Sequence, residues 1–199
     1  MKRALVLVLA MSAVAMAQVW VEQGDAPDLL PGQACVGAGP LTAITGVHTP
    51  NDVDLYQIAI TNPAGFSAST VGGTTMDSIM ALFDSAGNGV IYNDDEPYGT
   101  SLQSTLDNSG GWITSAGTYY LAVWQYSGYP NSPTGRIWNA SPYNVIRPPD
   151  GPGAPGPLTG WTYAGTTQAD YRIALAGVSY VPEPAALALL GLGLLLRRR

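Results

Sequence analysis

Leu55-Tyr56-Gln57-Ile58-Ala59-Ile60 alternates between two faces, with Tyr56, Ile58 and Ile60 on one and Leu55, Gln57 and Ala59 on the other. A period of two over a short apolar run is the mark of a strand rather than a helix. The same rhythm recurs on either side. Ile79, Ala81 and Phe83 alternate with Met80 and Leu82, and Val90–Asn93 follows the turn-rich Asp84-Ser85-Ala86-Gly87-Asn88-Gly89. The Asn88-Gly89 pair predicts a tight hairpin. Trp112–Thr114, Thr118–Trp124 and Asp170–Leu175 read as further strands, the middle one rich in β-branched and aromatic residues. No long apolar stretch with a 3.6-residue period occurs between these runs. Short strands punctuated by Gly, Asn, Asp and Pro predict an all-β fold, an antiparallel β-sandwich or jelly roll.

Residues 139–160 break the rhythm. They hold six prolines (142, 148, 149, 152, 155 and 157) and four glycines (151, 153, 156 and 160). Proline supplies no ladder donor, so the stretch predicts an extended loop lying over the sandwich. Trp161 and Tyr163 stand at its end, placed to pin it to the body. Because Asp170–Gly177 reads as a strand of the same domain, the stretch is an insertion and not a linker.

The two ends of the chain are of another kind. Lys2 and Arg3 precede the apolar Ala4–Val14, and Ala15-Met16-Ala17 then gives a small-x-small pattern. These features predict a signal peptide over residues 1–17, read by the Sec translocon and cleaved to leave Gln18 first. At the other end, Val181-Pro182-Glu183-Pro184 leads into Ala185–Leu196 and then Arg197, Arg198 and Arg199. As a helix, Ala185–Leu196 rises about 18 Å, whereas a span of the hydrocarbon core takes ~20 apolar residues and about 30 Å. A core helix is the other reading, but the segment has no polar face. The tail therefore predicts a short apolar helix, a poor permanent anchor and a good cleavable signal.

Residues 181–199 resemble the PEP-CTERM sorting signal of exported bacterial proteins, also known as the ice-binding-protein C-terminal motif. The resemblance implies removal of the tail by an exosortase-type membrane protease, after transient insertion in the inner membrane. It implies an exported protein, resident in the cell envelope or released outside. Ice binding would need a regular threonine array, which the chain lacks.

Between the signals, residues 18–182 carry 13 acids against three bases, Arg136, Arg147 and Arg172, a net charge of −10 with no lysine. Such a domain is not a nucleic-acid binder, nor one for anionic lipid, since both need basic patches. It suits a solvated extracellular domain or one that gathers cations. Cys35 is the sole cysteine, so no intramolecular disulfide forms. It reads as a buried thiol, with an exposed one as the alternative. His48, the sole histidine, reads as a loop residue. No Gly-x-Ser-x-Gly elbow or cysteine-protease signature occurs, and one His with one Cys excludes the common zinc sites. The chain is therefore expected not to be an enzyme.

Asn51-Asp52-Val53-Asp54-Leu55-Tyr56, then Leu82-Phe83-Asp84 with Gly87, then Asn93-Asp94-Asp95, then Ala116-Gly117-Thr118-Tyr119-Tyr120-Leu121-Ala122-Val123 occur in that order. This series resembles the pre-peptidase C-terminal (PPC) domain over roughly residues 50–178. The resemblance implies a β-sandwich accessory or binding module, sometimes calcium-stabilised. The organisation expected is a signal peptide (1–17), an N-terminal segment packing on the sandwich (18–49), the sandwich itself (50–180) and the sorting tail (181–199).

Two binding chemistries follow from the residues themselves. Calcium takes six to eight oxygen ligands. Asp52 and Asp54 share one face of an extended segment, and Asn93, Asp94, Asp95 and Glu96 offer four oxygen-bearing side chains at a strand end. If the two loops converge they make a calcium site; otherwise Asn51 and Asp52 cap turns and 94–96 is a solvated loop. The aromatics Trp112, Trp124, Tyr126, Tyr129, Trp138, Tyr143, Trp161 and Tyr163 suit stacking on sugar rings, although core and loop-pinning roles are the commoner use. Two functions are consistent with all this: a non-catalytic envelope or extracellular-matrix protein, or a calcium-dependent module that binds carbohydrate such as exopolysaccharide.

Overall fold

The alternation read in residues 55–60 is realised as a central strand of a two-sheet sandwich. A computed structural model describes residues 18–162 and 165–183. The expected signal peptide, Tyr163, Pro184 and the apolar helix with its three arginines lie outside the described residues.

The first sheet runs β1 (Gln18–Val21), β3 (Leu41–His48), β13 (Ala169–Ala176), β5 (Ser67–Ser69) and β8 (Thr105–Asp107), in that spatial order. The second runs β14 (Val178–Ser179), β4 (Asp54–Ile60), β9 (Gly117–Gln125), β6 (Ser78–Phe83) and β7 (Gly89–Asn93), with β2 (Gln33–Ala34) also paired to β4. Most pairs are antiparallel, but β1 joins β3 and β2 joins β4 in parallel. Residues 18–49, expected to pack on the sandwich, supply three of its strands, so the sandwich begins well before residue 50.

Between the sheets lies the first core, with Ile44, Tyr56, Ile58, Met80, Leu121, Val123 and Ile173 among its members. β13 shows the simplest consequence: Tyr171, Ile173 and Leu175 are buried while Arg172, Ala174 and Ala176 face water. The second sheet is different. All six residues of β6 are buried, because its outer face is covered as well. That cover comes from the segment after β9, which includes a small sheet of β10 (Pro130–Ser132), β11 (Gly135–Arg136) and β12 (Gly160–Trp161). Ile137, Trp138 and Leu158 from this segment pack on Leu55, Ile79, Ala81, Phe83, Tyr92, Ala122 and Trp124, forming a second core. Trp138 stacks on Tyr92 with centroids 5.5 Å apart and meets Phe83 edge-on at 5.6 Å. The Pro/Gly-rich stretch is thus the expected overlying loop, and Trp161 pins it, its Nε1 donating to Asp28 O at 2.7 Å.

Three local expectations are corrected. Trp112–Thr114 is not a strand: the Asn108 side chain bonds both N and O of Ile113, which satisfies this backbone locally. The β6–β7 hairpin turns at Ser85–Gly87, ahead of the Asn88-Gly89 pair that the sequence suggested. Gly87, at φ +86°, takes the left-handed position, its N–H donating to Asp84 O, while Asp84 Oδ1 accepts from the N–H of Ala86 and of Asn88. Gly89 instead begins β7, where a Cβ would come within 2.6 Å of the Trp138 ring. Third, His48 sits in β3 and is fully buried, not in a loop.

Trp138→Ala removes a fully buried ring from the second core and is expected to cost about 3–5 kcal/mol in urea unfolding. Tyr143→Ala, on the same segment but 53% exposed, is expected to stay within about 0.5 kcal/mol. Equal effects would mean that the covering segment does not form this core.

Candidate functional site: two carboxylate groups and an aromatic cleft

The register of the second sheet fixes where the predicted acids fall. Asp54 lies opposite Val123, Val123 opposite Met80, and Met80 opposite Asn93. The two loops therefore sit at the same end of the sheet but three strands apart, about 14 Å at the usual spacing of about 4.8 Å. One ion cannot bridge them, so the single calcium site predicted from both loops does not form. The acids gather instead in two groups, Glu22, Asp25 and Asp54, and Asp77, Asp94 and Asp95, each with carboxylate oxygens within 4.8 Å of one another.

The first group ties β1 to the sandwich. Glu22 follows β1; its Oε1 accepts from Ala26 N at 2.9 Å and its Oε2 from Val47 N at 2.8 Å. Asp54 is fully buried, and its Oδ2 accepts from the Tyr171 hydroxyl at 2.7 Å, which itself lies 2.5 Å from the Tyr56 hydroxyl. No N–H or O–H donor reaches Asp54 Oδ1. Burial first, then a hydrogen bond to Glu22 and the charges of Glu22 and Asp52, push the Asp54 pKa up to about 10. Asp54 is therefore held protonated. Asp52 acts as a cap, its Oδ2 accepting from the N–H and hydroxyl of Thr49.

The second group stands at the open end of the β6–β7 hairpin. Asp77 precedes β6, and Asp94 and Asp95 follow β7. With Tyr126, Tyr129 and Tyr143 they line a cleft of about 250 Å³. The covering segment makes one wall, since Tyr143 O accepts from the N–H of both Asp94 and Asp95. Tyr126 and Tyr143 are half exposed, while Tyr129 is buried beneath the Arg136 guanidinium, 3.9 Å from its ring centroid. Asp94 is 3% exposed, and the Oδ1 atoms of Asp94 and Asp77 are buried without a hydrogen-bond partner. Burial, followed by the charges of Asp95 and Asp77, pushes the Asp94 pKa up to about 7. Arg147, the nearby cation, donates to Asp150 and to Asn139 O.

Of the six acids and amides predicted as ligands, Asp94 and Asp95 meet in this cleft and Asp54 joins the other group. Asn93 is a tie within the fold, its Nδ2 donating to Asp95 O at 2.7 Å and its Oδ1 accepting from Thr105 N at 2.9 Å. Glu96 belongs to neither group. Glu22, Asp25 and Asp77 were not singled out in the sequence. Of the eight aromatics proposed for sugar stacking, Trp124 and Trp138 are core residues, and Tyr126 and Tyr143 present faces to solvent.

The sorting residues leave from the far edge of the same sheet. Val181 N donates to Cys35 O at 2.8 Å, and Gly37 N donates to Val181 O at 3.0 Å. Pro182 and Glu183 beyond it are exposed, and Gln18, the predicted mature start, opens β1.

A two-sheet β-sandwich followed by an export tail is the class of protein that the fold and the terminal motif define. Comparison with known families agrees: residues 52–125 match the bacterial pre-peptidase C-terminal domain, and residues 181–199 match the PEP-CTERM protein-sorting motif. The chain thus carries both features that its sequence resembles, and the tail marks an exported protein processed by an exosortase. No curated protein matches the chain. The PPC match contains Asp54, Asp77, Asp94 and Asp95 but ends before the covering segment that supplies Tyr126, Tyr129 and Tyr143.

The raised carboxyl pKa values set the sign of the pH dependence. Folded Asp54 and Asp94 hold protons that the unfolded chain releases above 3.8. Their contribution is complete below that pH and is lost as pH rises, to about 7 for Asp94 and about 10 for Asp54. In chelator, the melting temperature is expected to be higher near pH 5 than near pH 8, with the slope reduced in Asp54→Asn. A melting temperature that rises over this range would contradict the assignment.

Proposed function

We propose that this protein is a non-catalytic component of the cell envelope or extracellular matrix. It crosses the membrane through the Sec translocon, inserts transiently through its tail, and is displayed or released once an exosortase-type protease cuts. The observation that carries this reading is the pairing of the sorting motif with a sandwich whose candidate reactive groups are withdrawn. His48 is fully buried with its ring nitrogens against the backbone oxygens of Thr167 and Asp52, at 2.8 and 3.2 Å. Cys35 is fully buried, and burial pushes its thiol pKa far up, leaving the unreactive form.

Removal of residues 181–199, or replacement of Pro182, Glu183 and Pro184 by alanine, is expected to abolish processing. Fractionation of the producing cells should then show the uncut or tailless form outside its normal envelope location. Unchanged size and location in both variants would overturn the sorting role.

A second reading, a calcium-dependent carbohydrate-binding module, is favoured by the cleft, where Tyr126 and Tyr143 offer half-exposed faces beside three carboxylates. Aromatic faces hold the apolar side of a sugar ring while polar groups orient its hydroxyls. The exported protein is then retained on acidic exopolysaccharide only with calcium. With about 0.5–1.5 kcal/mol per aromatic stack, Tyr126→Ala/Tyr143→Ala is expected to weaken retention about tenfold. Calcium-independent retention, or none, leaves the matrix role without this activity.

A further inference from the structure

The two carboxylate groups solve the same electrostatic problem in different ways. In the first, burial and the neighbouring Glu22 hold Asp54 in its neutral form, and the other oxygens meet Tyr171, Ala26 and Val47. The second has no such internal solution. Asp77 Oδ1 and Asp94 Oδ1 are both buried without a donor, and no carboxyl–carboxyl hydrogen bond contributes at Asp77 or Asp94. Like charges this close repel unless a proton or a cation intervenes.

Among the described residues no cation is bonded to these carboxylates; Arg147 draws the Asp94 pKa down, but less than burial and its acidic neighbours push it up. The segment between the two signals has no lysine, and its only bases are Arg136, Arg147 and Arg172. Arg147 gives its Nη atoms to Asp150 and Asn139 O; Arg136 lies over Tyr129; Arg172 is on the solvent face of β13, in the other sheet. The backbone N–H groups of Asp94 and Asp95 turn away to Tyr143 O.

We infer that Asp77, Asp94 and Asp95 form a binding site for one divalent cation of the calcium class, at the floor of the Tyr126/Tyr129/Tyr143 cleft. The donor set is all oxygen, which selects a hard cation over zinc or copper. Three carboxylates within 4.8 Å supply three to six of the six to eight oxygens such an ion takes. The remaining positions face the cleft, open to water or to paired hydroxyls of a ligand. The site also gives the hairpin a purpose: Asp77 and the Asp94–Asp95 pair come from opposite strands, so the ion staples its open end. This assignment deepens the calcium-dependent reading above, but its test contains no saccharide, so failure of the cation site and failure of sugar binding are separate results.

The measurement is terbium luminescence, with terbium as a calcium stand-in sensitised by the neighbouring tyrosines, paired with calcium-dependent melting of the purified exported protein. Binding is expected with a Kd of about 0.1–1 mM for calcium, the range of extracellular modules. The sensitised signal is expected to fall about tenfold or more in Asp77→Asn/Asp94→Asn, as ligand charge is lost, and to persist in Asp54→Asn. The calcium-induced rise in melting temperature should disappear in the same variant. If the double variant does not fold, Asp95→Asn, at a partly exposed position, decides on the same readouts. Absence of both signals in the unaltered protein overturns the site. So does a signal lost in Asp54→Asn but kept when Asp94 or Asp95 is changed.

Discussion

A sheet that is apolar on both faces cannot be left with one face in water, and that constraint organises the molecule. β6 and β9 carry Ile79, Ala81, Phe83, Ala122 and Trp124 on the face turned away from the other sheet. Exposed, these side chains would form a contiguous hydrophobic patch larger than soluble monomers normally tolerate. The segment between β9 and β13 removes it, bringing Ile137, Trp138 and Leu158 down onto the sheet. Proline suits this cover, because it holds an extended path and asks for no ladder partner. The first sheet has no such need: its β13 alternates buried and exposed residues and leaves the outer side wet. The cleft is a by-product of the cover, since Tyr129 and Tyr143 reach the hairpin end only where the segment descends on it.

Charge is handled with the same economy. Carboxylates greatly outnumber bases, yet several are buried, where an isolated charge is very costly. Asp52 is used as a turn cap and Asp54 as a neutral acid. Asp94 is the harder case, because its neighbours are the acids Asp77 and Asp95, and neither its inner oxygen nor that of Asp77 has a donor. Cores tolerate unsatisfied polar atoms rarely, and such atoms concentrate where a ligand completes the structure.

Much of the architecture was legible because period two survives in short stretches of sequence. Residues 55–60, 79–83, 90–93, 118–124 and 170–175 all lie in strands. β3 hides its rhythm: Leu41 and Ile44 enter the inner core three residues apart while Ala43 lies opposite the outward Ala174, and Gly46 and two threonines dilute the pattern further. The candidate site was half legible for a more specific reason. A two-residue turn at Asn88-Gly89 would set Asp94 opposite Phe83 and leave Asp77 opposite Thr100. The real turn at Ser85–Gly87, with the bulge between Leu82 and Phe83, pairs Met80 with Asn93 and so brings Asp77 to the Asp94–Asp95 end. Asp84 decides the matter: its carboxylate accepts from two backbone N–H groups and holds the earlier turn, against the usual preference of Asn-Gly. Glu22 was beyond reach for another reason, since its meeting with Asp54 depends on a parallel β1–β3 pair that joins distant segments.

The tail and the cleft stand at opposite edges of one sheet, and their separation bears on how a processed protein works. In the order β14, β4, β9, β6, β7 the sorting residues follow the first strand and the second carboxylate group flanks the last two. Four strand spacings of about 4.8 Å put roughly 19 Å between the edges. Val181 is bonded to Cys35 and Gly37, so the strand leading to the motif is part of the fold and not a free tether. A protease that engages Pro182-Glu183-Pro184 therefore meets the domain at its β4 edge, with the cleft on the far side. Cutting beyond Val181 leaves both of its backbone bonds in place, so the sandwich and its carboxylate sites need no rearrangement between the uncut and the processed forms.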